Sequence, residues 1–228
     1  HKKHPINWTS IELNTSSSEA MAEAFREVVR VKKVDPATAQ RLGLFDPERD
    51  KGHLDADGRI DIPMWRHALI SFPHPLLKEG LNILDTPGLN AMGSEPELTL
   101  NMLPNAQAVI FVLAADTGVT KSDMEMWSHH VQALDGDTRH ARLVVLNKVD
   151  TLWDELKDDA TVNNTIQAQC NTAARMLQID NRSVFPVSAQ KGLLAKIRHD
   201  KELLKKSNIL ALETILSCLL YTSPSPRD

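Results

Sequence analysis

The chain has 228 residues, 42% of them apolar and 25% charged, which suits one sizeable α/β domain with a buried core and excludes a largely disordered chain. A formal charge of -4 and a pI near 6.1 argue against a nucleic-acid or anionic-membrane footprint spread over the whole surface, so no nucleic-acid partner is expected. Cys170 and Cys218 have no metal-ligand spacing, and no run of eighteen apolar residues or N-terminal h-region occurs, so the chain reads as a cytoplasmic protein with two reduced thiols.

In chain order, Ser16 stands three residues before Glu19, a capping-box spacing, and Met21, Phe25, Val28 and Val29 recur at helical intervals, which predicts an amphipathic helix to about Lys33. Asp35-Pro36 predicts a second, short helix closed by Gly43. Residues 45–62 are polar and turn-rich. Within them HLDADGRID, His53 to Asp61, has the look of a calcium loop, but His53 and Met64 occupy the first and last ligand positions where acids are required, and an Asp/Gly turn is the better reading.

His67 to Pro73 and Leu81 to Leu84 read as two strands of a hairpin-like pair. From there helix and strand alternate: helix Pro96 to Leu103, strand Ala108 to Leu113, helix Ser122 to Leu134, strand Leu143 to Leu146, helix Trp153 to Leu177, strand Val184 to Val187, then helical sequence from Leu193 to Leu219. The continuous apolar runs AVIFVL and LVVL belong where helices cover both faces of a sheet. This order predicts an α/β fold with a mostly parallel, doubly wound sheet and ligands at the carboxyl ends of its strands. The organisation expected is a helical insert at 1–65, a core at 66–220, and a Ser/Pro-rich tail at 221–228 that is disordered or foreign.

Three segments at strand ends carry chemistry. In Asp85-Thr86-Pro87-Gly88 an acid at a strand tip can hold Mg2+ through water, and the glycine lets a backbone N–H approach a terminal phosphate. Two fixed residues recur by chance in roughly half of chains this long, so this segment alone is a strand-ending turn as readily as a site. Asn147-Lys148-Val149-Asp150 is more specific. The Asp150 carboxylate can accept two hydrogen bonds from N1–H and the 2-amino group of guanine, donors that adenine does not offer in that arrangement, at about 1.5–3 kcal/mol each. Asn147 would brace the loop and the Lys148 stem would lie over the ring. In Ser188-Ala189-Gln190-Lys191 the Ala189 N–H could meet the guanine carbonyl while Ser188 holds the loop, although Ser188 also reads as a plain helix N-cap.

In their order these segments resemble the D-x-x-G, N-K-x-D and S-A-x motifs of the P-loop GTPases, over about Asp61 to Leu216. Within that class the chain looks most like the dynamin-like GTPases, because AADTGVTKSDMEMW, Ala114 to Trp127, resembles their segment after the fourth strand. The 84 residues before Asp85 also hold no phosphate loop. No glycine is followed by lysine, so G-x-x-x-x-G-K-[ST] does not occur. The resemblance implies that the phosphate-loop strand is missing from an N-terminally truncated chain. The sheet would then have an empty central slot, or close with Leu81 to Leu84 beside Ala108 to Leu113.

The resemblance further implies GTP or GDP and Mg2+ as ligands, with Asp85 assisting the metal and Gly88 sensing the γ-phosphate. Leu89 stands where Ras-like members carry glutamine. Self-association through the GTPase domain is implied too, as is membrane contact through regions beyond Leu220. The alternative is an assembly module that has discarded its phosphate loop. An ATPase using LNILD as a Walker B strand is disfavoured by Asp150.

Overall fold

The computed structural model describes residues 8–15, 17–48, 52, 54–65, 67–86, 103, 106–132, 141–154 and 156–222. The chain forms two compact units, His1–Glu97 and Leu98–Asp228.

In the first unit, helix α1 (Ser18–Val28) starts at Ser17, whose hydroxyl accepts the Ala20 N–H at 3.2 Å; Ser16 lies outside the described residues. The helix stops at Val28, short of Lys33, because Val31–Val34 leaves it to become strand β1 and pairs antiparallel with β2 (Ile60–Pro63). The sequence VKKV carries no strand alternation of its own, and only the partner makes it extended. Between these strands lies α2 (Pro36–Arg41), opened by Asp35 accepting from Thr38 N at 2.8 Å and followed by Gly43 at φ 73°, the left-handed position expected of it. Ala39, Phe45, Ile60 and Ile62 form a small core between α2 and the hairpin. Of the stretch HLDADGRID, Leu54 to Arg59 form a turn: Asp55 accepts the N–H groups of Asp57 and Arg59 at 3.0 and 2.8 Å, and Lys33 Nζ lies 2.5 Å from its other oxygen; His53 lies outside the described residues.

The two strands expected at His67–Pro73 and Leu81–Leu84 are not formed. Residues 67–74 and 81–86 are irregular around a short helix α3 (Pro75–Lys78), and Ile83 and Leu84 are exposed at 65% and 61%. A strand exists only where a neighbouring strand takes up its N–H and C=O groups, and neither segment is paired in a sheet among the described residues.

The second unit contains the predicted parallel sheet, with order β3 (Ala108–Ala114), β4 (Ala141–Asn147), β5 (Val184–Pro186). The register sets Phe111 beside Val144 and Leu113 beside Leu146. Alternate residues therefore face the same side, where Val109, Leu113, Val144 and Leu146 pack with Trp127 and with Cys170, Ala173, Ala174 and Leu177 of α5 (Asp159–Leu177). Trp127 begins a π-helical turn (Trp127–Val131) that continues α4 (Lys121–Met126). Its ring meets Phe111 edge-on at 5.3 Å and its Nε1 donates to Leu177 O at 3.0 Å, so the indole N–H is not stranded in the core.

On the other face Leu143 and Val145 of β4 are buried, whereas Val112 of β3 is 58% exposed. The double covering inferred from the apolar runs thus holds for β4 and not for β3. Helix α5 starts at Asp159, capped by Asp158 and six residues after the predicted start at Trp153, because Trp153 itself closes the 3-10 turn Val149–Leu152. After β5 the helical stretch is three helices: α6 (Ala189–Arg198), α7 (Lys201–Ser207) and α8 (Ile209–Thr222). The breaks fall at His199 and Asn208, both left-handed. The predicted helix Pro96 to Leu103 lies, except for Leu103, outside the described residues.

Candidate nucleotide-base site

The parallel sheet brings the ends of β4 and β5 side by side, and with them two of the three motif segments. Val187 N donates to Leu146 O at 2.9 Å and Val149 N to Val187 O at 3.3 Å, which continues the ladder into both loops. Asn147, the last residue of β4, accepts the Lys148 N–H at 2.8 Å and the Ala189 N–H at 3.0 Å through one oxygen. One amide side chain thereby bridges residues 42 apart in sequence. The Ala189 N–H, expected to face a guanine carbonyl, is engaged by Asn147 here.

Asp150 is part-buried in the turn after β4. Its Oδ1 accepts the Ser188 hydroxyl at 2.6 Å, and the same hydroxyl accepts Lys191 N at 3.3 Å, so Ser188 both caps α6 and orients the acid. Ser188 is fully buried. Asp150 Oδ2 has no hydrogen bond among the described residues, which leaves a fixed carboxylate with one oxygen available. Such an oxygen on an anchored acid suits the paired N–H donors of a guanine edge.

Lys148 has φ 62° and ψ 30°. Gln178, His199 and Asn208, the other non-glycine residues with positive φ among the described residues, all follow helix C-termini. Lys148 instead lies between a strand and a turn, where a left-handed residue is costly and marks a site held by its surroundings. Its Nζ is 3.4 Å from Asp116 Oδ2, on the loop after β3, and Thr151 donates to its carbonyl through both hydroxyl and amide. The three strand-end motifs do not include Asp116. The signal available was its place in AADTG, directly after an apolar strand that neighbours the one ending at Asn147.

Trp153 closes the turn, its N–H donating to Asp150 O at 3.2 Å. It is half-buried, and Lys206 Nζ sits 4.7 Å from its ring centroid.

The third segment is only partly described. Asp85 and Thr86 are exposed, irregular chain in the first unit, and Pro87, Gly88 and Leu89 lie outside the described residues. Within the second unit the structure therefore unites Asn147, Lys148, Asp150, Ser188 and Ala189. On the π-helical turn His129 is exposed and His130 part-buried, with His129 Nδ1 at 2.8 Å from Glu125 O. Among the described residues no helix is long and apolar enough to cross a membrane.

A sequence family described as the dynamin family matches residues 7–149. The chain is 24% identical over 179 residues to a bacterial dynamin-like protein of Nostoc punctiforme, covering 78% of this chain and 22% of that one. It is 30% identical over 126 residues to a probable transmembrane GTPase, FZO-like and chloroplastic, of Arabidopsis thaliana, covering 55% of this chain and 13% of that one. It is 33% identical over 159 residues to the isoniazid-induced protein IniA of Mycobacterium tuberculosis, covering 65% and 21%. The chain thus spans about a fifth or less of the length of these relatives. A crystal structure of Era from Aquifex aeolicus bound to GDP and AlF4- aligns at 19% identity with a TM-score of 0.39, over 63% of this chain and 40% of that one.

Proposed function

Because this chain belongs to the dynamin family, we propose that it is part of the GTP-binding and GTP-hydrolysing domain of a dynamin-like protein, with guanine read by the loops after β4 and β5. The observation that carries this is the Asp150 carboxylate, held at Oδ1 by the buried Ser188 hydroxyl at 2.6 Å with Oδ2 left open. Asp150 would take N1–H and the 2-amino group of the base, the Lys148 stem would cover the ring, and Asn147 would keep the two loops in register. For the Ala189 N–H to reach the guanine carbonyl, its bond to Asn147 has to be shared or exchanged.

GTP is the substrate, and water attacks its γ-phosphate with catalysis resting on positioning and charge stabilisation. Mg2+, when bound, neutralises phosphate charge. Asp85 would hold it through water, with Gly88 nearest the γ-phosphate. Since G-x-x-x-x-G-K-[ST] does not occur in the 228 residues, the chain alone should bind GTP weakly and not hydrolyse it. Micromolar or tighter affinity of the isolated chain would refute that expectation. Self-association through this domain and membrane contact through other regions are the partner relations the family suggests. No nucleic-acid partner is proposed, in keeping with the acidic pI.

The test of base reading is Asp150→Asn in the full-length protein. Losing two charge-assisted hydrogen bonds should weaken GDP binding by about a hundredfold or more. Xanthosine diphosphate, whose 2-oxo group accepts from an amide, should gain. Calorimetric titration showing an unchanged guanine preference would overturn the assignment.

A further inference from the structure

Three consecutive residues at the junction of α7 and α8 touch both base-reading loops. Lys206 places its ammonium 4.7 Å from the ring centroid of Trp153, the residue whose N–H closes the turn on Asp150 O. The carbonyl of Ser207, a fully buried residue, accepts the Ser188 N–H at 2.9 Å. The Asn208 amide donates from Nδ2 to Pro186 O at 2.8 Å. One contact therefore falls on the loop after β4 and two on the chain that leads out of β5.

The junction is itself fixed. Ser207 Oγ donates to Leu204 O at 2.6 Å and Asn208 is held left-handed at φ 56°. Gly192 of α6 lies so close that an added Cβ would stand 2.9 Å from Ile209 Cβ and 3.1 Å from Ser207 Oγ. The consequences for the site are geometric. Ser188 is where Asp150 gets its orientation, and the Ser188 backbone is located by Ser207. Trp153 is where the Asp150 turn ends, and its ring is covered by Lys206, a cation over an aromatic face.

We propose that Lys206, Ser207 and Asn208 form a positioning element that holds the two loops in the relative placement guanine recognition needs, and so contributes to the preference for guanine without touching the nucleotide. The proposal rests on the base-reading role of Asp150 given above. It differs from a purely stabilising contact in one respect that can be measured. A junction that only supports the fold would, when weakened, lower the affinity for all nucleotides alike, whereas one that aims Asp150 would selectively erode the advantage conferred by the guanine 2-amino group.

The experiment compares GDP with inosine diphosphate, which lacks that amino group, by equilibrium binding to the full-length protein. Three variants are used: Asn208→Gly, which permits the left-handed backbone but removes the amide; Lys206→Ala, at an exposed position; and Lys206→Arg, which keeps a cation over Trp153. The wild type is expected to favour GDP by roughly tenfold or more, the worth of one charge-assisted hydrogen bond. That ratio should fall to within about threefold of unity in Asn208→Gly and be at least halved in Lys206→Ala. Lys206→Arg should restore it. A wild-type ratio retained in both Asn208→Gly and Lys206→Ala overturns the positioning role while leaving Asp150 as the base reader. A wild type with no preference for GDP overturns both. Should Asn208→Gly fail to fold, the pair Lys206→Ala and Lys206→Arg decides the question alone.

Discussion

Ser188 concentrates more of the site than any other single residue. Its hydroxyl caps α6 and orients Asp150, and its amide is taken by Ser207. Ser188→Ala should cost about 1–2 kcal/mol of stability, from a lost cap and a lost buried hydrogen bond, and should weaken GDP binding as well. Denaturant titration beside nucleotide binding checks both effects; a change in stability with binding intact would mean that Asp150 needs no such anchor. Cys170 makes the opposite point. Burial pushes its thiol up to about 11, so it is a packing residue that stays protonated near neutrality. Alkylation of the folded chain should label Cys218, which is exposed, far faster than Cys170.

At the scale of elements, α1, α2, α4, α5, α6 and α7 each begin where a carboxylate or hydroxyl accepts a backbone N–H. Thr161 N–H holds Asp158 at the start of α5 below the ordinary carboxylate range, and Thr38 N–H does the same for Asp35 at α2. A depressed folded value means that these caps contribute fully above the ordinary value of about 3.9 and lose their contribution as pH falls through the lower folded value. The melting temperature should therefore be insensitive to these groups between about pH 5 and 7 and fall below about pH 4. Asp158→Asn, which still caps but does not titrate, should soften the fall for the second unit. An unaltered acid limb in that variant would assign the acid sensitivity to other groups.

For the whole molecule, two separate cores imply two separable responses. The first unit rests on Ala39, Phe45, Ile60 and Ile62, while the second gathers Trp127, the sheet and α5. Ile62→Ala removes one of four core side chains, and a typical loss of about 2–5 kcal/mol is enough to melt so small a unit. Hydrogen exchange should then show β1 and β2 losing amide protection while β3, β4 and β5 keep theirs. Loss of protection in the sheet as well would show the two units to be one cooperative structure.

What the sequence determined by itself is the local and the covalent: continuous apolar runs that can only be buried strands, Asp35 and Gly43 bounding α2, and the N-K-x-D and S-A segments placed at strand ends. The parallel sheet follows from that alternation. The strand state of VKKV and the irregular state of LNIL were not legible, because a strand is a property of a pair and one of these has a described partner while the other has none. Nor could sequence show that Ser188 faces Asp150, that Asn147 spans to Ala189, or that Lys206 to Asn208 hold both loops. Those contacts join residues from about 20 to more than 50 positions apart, and only the packing of α5 to α8 against the sheet sets them at hydrogen-bonding distance. The sequence supplied the groups capable of reading guanine, and the tertiary structure decided which of them are aimed.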